Sequence, residues 1–194
     1  YYMDVSLFEK QRVVDGIIDI ILTCLPRVKL SDLYLRAVEK GLYSIGGEAS
    51  RLIGEETKFC DEGVRKLVVI EKESVFTNII KDSMVQPDCV YVTGRGFPDR
   101  LTIQFVNKIK ALITDVECVV DCDVYGVLIA NQYGIEPSKG WLLFDVQGGF
   151  LPVTKRDISM LFGGIRRLSK CKTSLRELQR QLFYLLKREI DISK

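Results

Sequence analysis

Apolar positions at Leu7, Val14, Ile17, Ile18, Ile21, Leu22 and Leu25 fall largely at intervals of three and four. That spacing predicts an amphipathic helix over residues 5–25, ended by Pro26. Ser31 caps a shorter predicted helix running to about Lys40, and Gly41 closes it. The next stretch holds Gly41, Gly46, Gly47 and Gly54 with few apolar residues and reads as loose chain. Residues 48–63 are polar and acidic, with Glu48, Glu55, Glu56, Asp61 and Glu62, and read as a linker.

From Val64 the period changes. Leu67-Val68-Val69-Ile70 is a short β-branched run followed at once by Glu71. A helix is predicted over 74–83, a second strand at Cys89–Val92, and a helix carrying Leu101, Phe105, Ile109 and Leu112. Val116–Val120 predict a third strand ending in Asp121-Cys122-Asp123, with a helix over 125–133. Strands that are apolar throughout and alternate with helices imply an α/β fold with a parallel sheet buried on both faces. Trp141–Asp145 is a candidate further strand. Thr154-Lys155-Arg156-Asp157 reads as a capping box opening a helix, and Ser174-Leu175-Arg176-Glu177 as another. The last helix would carry Leu175, Leu178, Leu182, Leu185, Leu186 and Ile190 on one stripe.

Composition sharpens the chemistry by exclusion. The 194 residues include no histidine. Ser-His-Asp and Cys-His nucleophile systems and Cys/His zinc fingers are therefore out, which leaves carboxylates, Lys, Tyr, Cys or a metal. With 28 Lys+Arg against 26 Asp+Glu, net charge argues neither for nor against a nucleic-acid partner. The six cysteines make no C-x-x-C pair and no zinc spacing, and reduced thiols in an intracellular compartment are expected. No membrane partner is expected, since no apolar run approaches ~18 residues. The chain opens on Tyr1-Tyr2 rather than Met, so residues upstream of it are expected in the whole protein.

In a parallel α/β sheet, ligands bind at the carboxyl ends of the strands. Glu71 follows the first strand, and Asp121 and Asp123 follow the third. Two apart in extended chain, the Asp pair is expected to face one way. An oxygen-only set lacking His and thiolate suits Mg²⁺ or Mn²⁺ rather than zinc. The competing reading makes each acid an ordinary cap or loop residue. Two nearby signatures fail. Gly94-Arg95-Gly96-Phe97-Pro98-Asp99 approximates a dinucleotide loop but has Asp99 for the third Gly. Asp121-Cys122-Asp123 approximates the start of a haloacid-dehalogenase-type phosphatase but has Tyr125 where Thr or Val is wanted.

A strand ending in Glu and a later strand ending in D-x-D-x-x-G resembles the Toprim domain of topoisomerases, bacterial-type primases and some nucleases. Five ordered blocks carry a closer resemblance: YYMDVSLFEKQRVVDGIIDII at the start, VVIEKESVF, VTGRGFPD, VVDCDVYGVLI and LPVTKRD. They resemble the meiotic DNA double-strand-break transesterases, whose relatives include the A-type component of topoisomerase VI. The resemblance implies a Toprim domain with a Rossmann-like parallel sheet and a C-terminal helical extension over 64–194. It also implies the C-terminal part of a winged-helix module over 1–56.

The resemblance further implies roles residue by residue. Tyr2 is the nucleophile; Glu71, Asp121 and Asp123 are catalytic and hold Mg²⁺ or Mn²⁺; Lys72, Arg95 and Phe97 contact DNA. Here Arg95 stands where relatives usually carry Lys, and Val124 where many carry Pro. The implied reaction is attack of Tyr2 on a DNA phosphorus, leaving a 5′-phosphotyrosyl protein and a free 3′-hydroxyl. The implied context is a nuclear location, double-stranded DNA, a homodimer with shared active sites, and a topoisomerase VI B-like subunit. Two other functions stay open on the residues alone: a Toprim nuclease or nucleotidyl transferase using water, and a non-catalytic DNA-binding scaffold.

Overall fold

A computed structural model of the chain describes residues 11–28, 30–33, 39–60, 63–82, 85–138, 142–143, 149–168 and 172–190. The chain divides into two compact units, Tyr1–Val38 and Glu39–Lys194. The division falls earlier than residues 57–63, where the sequence pattern changes.

In the first unit the predicted amphipathic helix is α1 (Gln11–Cys24), with Val14 and Ile18 buried and Val13, Ile17 and Ile20 exposed. Of the helix expected from Ser31, the described parts are a 3₁₀ turn at Leu30–Leu33 and non-helical chain at Glu39 and Lys40, and residues 34–38 lie outside the described residues. The opening of the chain, including Tyr1 and Tyr2, lies outside the described residues, so the winged-helix expectation meets only part of its span.

The second unit is built on a five-stranded sheet. Its strands are β1 (Leu42–Ile45), β2 (Arg51–Leu52), β3 (Lys66–Ile70), β4 (Cys89–Thr93) and β5 (Asp115–Val119), in the order β2-β1-β4-β3-β5. β3, β4 and β5 are parallel, as their unbroken apolar character predicts. Leu67, Val69, Val90 and Val92 are fully enclosed, and each such side chain contributes roughly 1.5–3 kcal/mol. The stretch at 41–54 is not loose. It folds as β1 and β2, and β1 pairs antiparallel with β4 along Leu42–Ile45, extending the sheet on that side. Periodicity missed these strands because they are only four and two residues long, with few apolar positions between the glycines.

Helices α2 (Glu73–Lys81), α3 (Arg100–Lys110) and α4 (Val124–Gln132) alternate with the parallel strands. Asp99 caps α3 by accepting the Thr102 N–H at 2.7 Å. The chain moves from β3 outward to β4 and then crosses back beyond β3 to β5. The carboxyl end of β3 is therefore the point where the strand order reverses, the position at which such sheets form a crevice. No helix among the described residues is long and apolar enough to cross a membrane.

The C-terminal part departs further from its periodicity. α5 (Lys155–Arg167) opens on the expected capping box, with Thr154 and Asp157 exchanging side-chain and backbone bonds. Ser174 opens nothing: it is buried inside α6 (Lys172–Tyr184). Leu142 and Leu143, the described part of the candidate strand at 141–145, form a bend and turn, and the Leu143 N–H donates to buried Glu177 Oε1 at 3.0 Å. The stripe from Leu175 to Ile190 is not one helix. Leu185 takes a left-handed backbone (φ 53°), and Leu186–Arg188 form β7, antiparallel to β6 (Phe150–Pro152). Leucines at 182, 185 and 186 fit a helical stripe whether or not the helix continues, so spacing alone could not reveal the turn.

Candidate active site

Glu71 is the first residue beyond β3 and is fixed from both sides. Its N–H donates to the Val119 carbonyl at 2.9 Å, and its carbonyl accepts the Gly96 N–H at 2.9 Å and the Thr93 hydroxyl at 3.3 Å. Its side chain reaches the other acidic segment, where Oε2 accepts the Asp121 N–H at 2.9 Å. Glu71 and Asp121, fifty positions apart, thus meet at the crevice. Burial is the main force raising the Glu71 carboxyl to a pKa of about 7. The Asp121 and Asp123 charges add to that rise, while the Asp121 N–H and Lys72 oppose it.

The two aspartates take different partners, rather than serving one side together. Asp121 is buried: Oδ1 accepts the Ile190 N–H at 2.6 Å and Oδ2 lies 2.9 Å from Lys72 Nζ. Asp123 turns to the start of α4 and caps it, accepting the Gly126 N–H at 2.8 Å. Burial, with the Asp121 charge, raises its carboxyl too. The glycine of D-x-D-x-x-G has a steric reason. A Cβ on Gly126 would fall on the carbonyl oxygen of Asp121, so only glycine lets α4 begin this close to the acidic loop.

The adjoining turn, 94–99, presents the other predicted residues. Arg95 is left-handed (φ 54°), as is Gly96 (φ 87°). The Arg95 guanidinium pairs with Glu73 Oε1 at 3.0 Å. Phe97 is 42% exposed, and its carbonyl accepts from Lys40 Nζ at 2.8 Å. Gly94 is needed for packing, since a Cβ there would meet the Tyr133 hydroxyl and Pro98.

Sequence reasoning missed the contribution of the C-terminal strand. Arg188 exchanges both backbone hydrogen bonds with Cys122, at 2.8 and 3.0 Å, laying β7 beside the acidic loop. Ile190 follows and binds Asp121. Lys187 pairs with Asp157 at 3.0 Å and its charge acts on Asp123. No local motif marks Arg188 and Ile190, because they act through backbone bonds to a loop about 65 to 70 positions away.

Residues 66–139 match the family model described as the Toprim domain of topoisomerase 6 A and Spo11. This segment is a Toprim domain of that family. It begins with β3 and contains Glu71, the 94–99 turn and the acidic loop. The chain is similar to "Meiotic recombination protein rec12" of Schizosaccharomyces pombe, 30% identical over 98% of this chain and 65% of that protein. It is similar to human "Meiotic recombination protein SPO11", 28% identical over 86% of this chain and 53% of that protein. It is also similar to the A-type component of DNA topoisomerase 6 from Arabidopsis thaliana, 27% identical over 69% of this chain and 36% of that protein. The chain thus spans about one third to two thirds of the length of these relatives.

Toprim domains bind divalent metal, and the donors gathered here have the matching chemistry. Three carboxylates and no softer ligand suit a hard cation such as Mg²⁺ or Mn²⁺. The Glu71 carboxyl is raised chiefly by burial, and the neighbouring Asp121 and Asp123 charges add to the rise. The side chains are not closed around a common point: among the described residues no three acids or thiols are gathered tightly enough to hold an ion. Each aspartate is held by other partners, Asp121 by Lys72 and Ile190 and Asp123 by the Gly126 N–H.

Proposed function

We propose that the chain is the cleaving part of a topoisomerase-like transesterase that makes double-strand breaks in meiotic DNA in the nucleus. The observation that carries this reading is the hydrogen bond from the Asp121 N–H to Glu71 Oε2. It joins two acidic strand ends at the reversal point of a Toprim sheet whose relatives are named for meiotic recombination and for topoisomerase 6.

In this reading the Tyr2 phenolate oxygen attacks a backbone phosphorus. The phosphorus–O3′ bond breaks, the protein becomes linked to the 5′-phosphate, and the 3′-oxygen leaves as a hydroxyl after taking up a proton. The phosphodiester count is conserved, so the step needs no high-energy cofactor. A phenol with an ordinary pKa near ~10 needs alignment and nearby positive charge to act at neutral pH. Glu71, Asp121 and Asp123 would hold Mg²⁺ or Mn²⁺, which when bound neutralises charge on the phosphate and leaving oxygen. Arg95 and Phe97 on the exposed turn would contact the duplex. Tyr2 of one protomer would serve the acids of the second, so that a two-fold dimer cuts both strands, working with a topoisomerase VI B-like subunit.

The test is covalent trapping. Incubation with duplex DNA and Mg²⁺, then SDS and protease, should leave peptide on the 5′ ends, and Tyr2→Phe should abolish that adduct. An adduct that survives Tyr2→Phe refutes the assignment of the nucleophile. Cleavage that leaves free 5′-phosphates supports a water-using nuclease instead, and binding without Mg²⁺-dependent cleavage supports a scaffold.

A further inference from the structure

Lys72 is expected from the family resemblance at the DNA, yet its neighbours are the acids. Its Nζ lies 2.9 Å from Asp121 Oδ2, 3.4 Å from the Ile190 carbonyl and 3.9 Å from Glu189 Oε2. The other Asp121 oxygen accepts the Ile190 N–H. Ile190 is held there because Arg188 is paired on both sides of its backbone with Cys122. Asp121 is therefore clamped between an ammonium and the end of β7.

We propose that Lys72 is a built-in counter-ion of Asp121, which competes with a divalent cation for that carboxylate and lowers the affinity of the three acids for a metal. The proposal rests on the metal-dependent reading above. An ammonium 2.9 Å from Asp121 Oδ2 stands within a few ångströms of any Mg²⁺ that the same carboxylate would take at ~2.0–2.1 Å, and the two cations would repel. The exchange is feasible because only the lysine has somewhere to go. Its side chain is 30% exposed on a flexible stem, whereas that of Asp121 is 9% exposed and fixed by Ile190. With a cation of its own the fold can bury Asp121 beside two other carboxylates, at the cost of weaker metal binding.

Calorimetric titration of the 194-residue chain with MgCl₂, repeated with MnCl₂, tests this directly. Lys72→Gln should bind the ion about threefold to fivefold more tightly than the parent, the effect of removing one competing, partly exposed ion pair. Lys72→Arg, which keeps the charge, should stay within about twofold of the parent. A merely structural lysine would lower the melting temperature of Lys72→Gln and leave its affinity unchanged or weaker, and that result overturns the proposal. Should Lys72→Gln fail to fold, the parent alone decides: the Ile190 amide and Lys72 ammonium NMR signals should shift together as Mg²⁺ saturates, and stationary signals overturn the proposal. Failure of the wider reading looks different, because then neither parent nor variant binds Mg²⁺ at all.

Discussion

Two regions at the carboxyl ends of neighbouring parallel strands have opposite physical character. The acidic corner at Glu71, Asp121 and Asp123 is fixed by four elements: β3, β5, the first turn of α4 and the strand β7 that pairs with Cys122. The 94–99 turn beyond β4 is set by left-handed backbone at Arg95 and Gly96 and by contacts from Lys40, and it pushes Phe97 outward. They touch through the hydrogen bond from the Gly96 N–H to the Glu71 carbonyl. The difference separates two jobs. In the proposed reading, groups that would meet within an ångström are built into the core, while groups that would meet a large partner stand on a turn whose side chains can change without disturbing that core.

The strongest way to break this contrast is Gly126→Ala. Its new methyl group meets backbone, the Asp121 carbonyl, which no rotamer change can move aside. The variant should lose about 2–4 kcal/mol in urea unfolding, at or above the usual range for overpacking because main chain must shift. Divalent-cation affinity should fall with it. Full stability with unchanged Mg²⁺ binding would mean that the corner is looser than its geometry implies.

The next effect has the opposite sign and depends on pH. The folded-state carboxyl of Glu71 is raised from 4.5 to about 7 by burial first and by Asp121 and Asp123 second. Such a group binds its proton more tightly in the folded chain. Its stabilising contribution is complete below about pH 4.5 and is lost as pH rises towards 7. Glu71→Gln keeps an acceptor for the Asp121 N–H and removes the charge. With EDTA present it should match the parent near pH ~4.5 and exceed it by about 1–3 kcal/mol at pH ~8. A constant difference across that range would show that the fold does not raise the carboxyl.

How far these regions could be read in advance follows from the distance over which each is specified. β3, β4, β5 and the helices between them are local patterns, so the positions of Glu71, Asp121 and Asp123 just beyond β3 and β5 were legible from the apolar runs before them. The capping box at Thr154 was legible because its two partners are three residues apart. β1 and β2 were not, since short strands between glycines carry too few positions to show a period. β7 was not, since its leucines continue a helical spacing and only the left-handed Leu185 breaks it. The partners of Asp121 were the least legible. Nothing near Asp121 in the sequence points to Ile190, and Lys72, expected from the resemblance at the DNA, is set by the fold against the aspartate.

The smallest effect on stability tests the exposed region. Phe97 leaves 42% of its surface in water, and Gly96 beside it has open space where a side chain would go. Phe97→Ala should therefore change unfolding free energy by no more than about 0.5 kcal/mol. The lysine contact uses the Phe97 carbonyl, which the substitution keeps, and the Asp99 cap of α3 is likewise untouched. If the ring stacks on nucleic acid, the same variant should lose about 1–3 kcal/mol of duplex binding, read by fluorescence anisotropy at fixed salt. Divalent-cation affinity should not move, because the acids are positioned by other elements. A loss of cation affinity would show that the turn and the acidic corner act as one unit through the Gly96–Glu71 bond; a loss of stability without a loss of DNA binding would return Phe97 to the packing of its own loop.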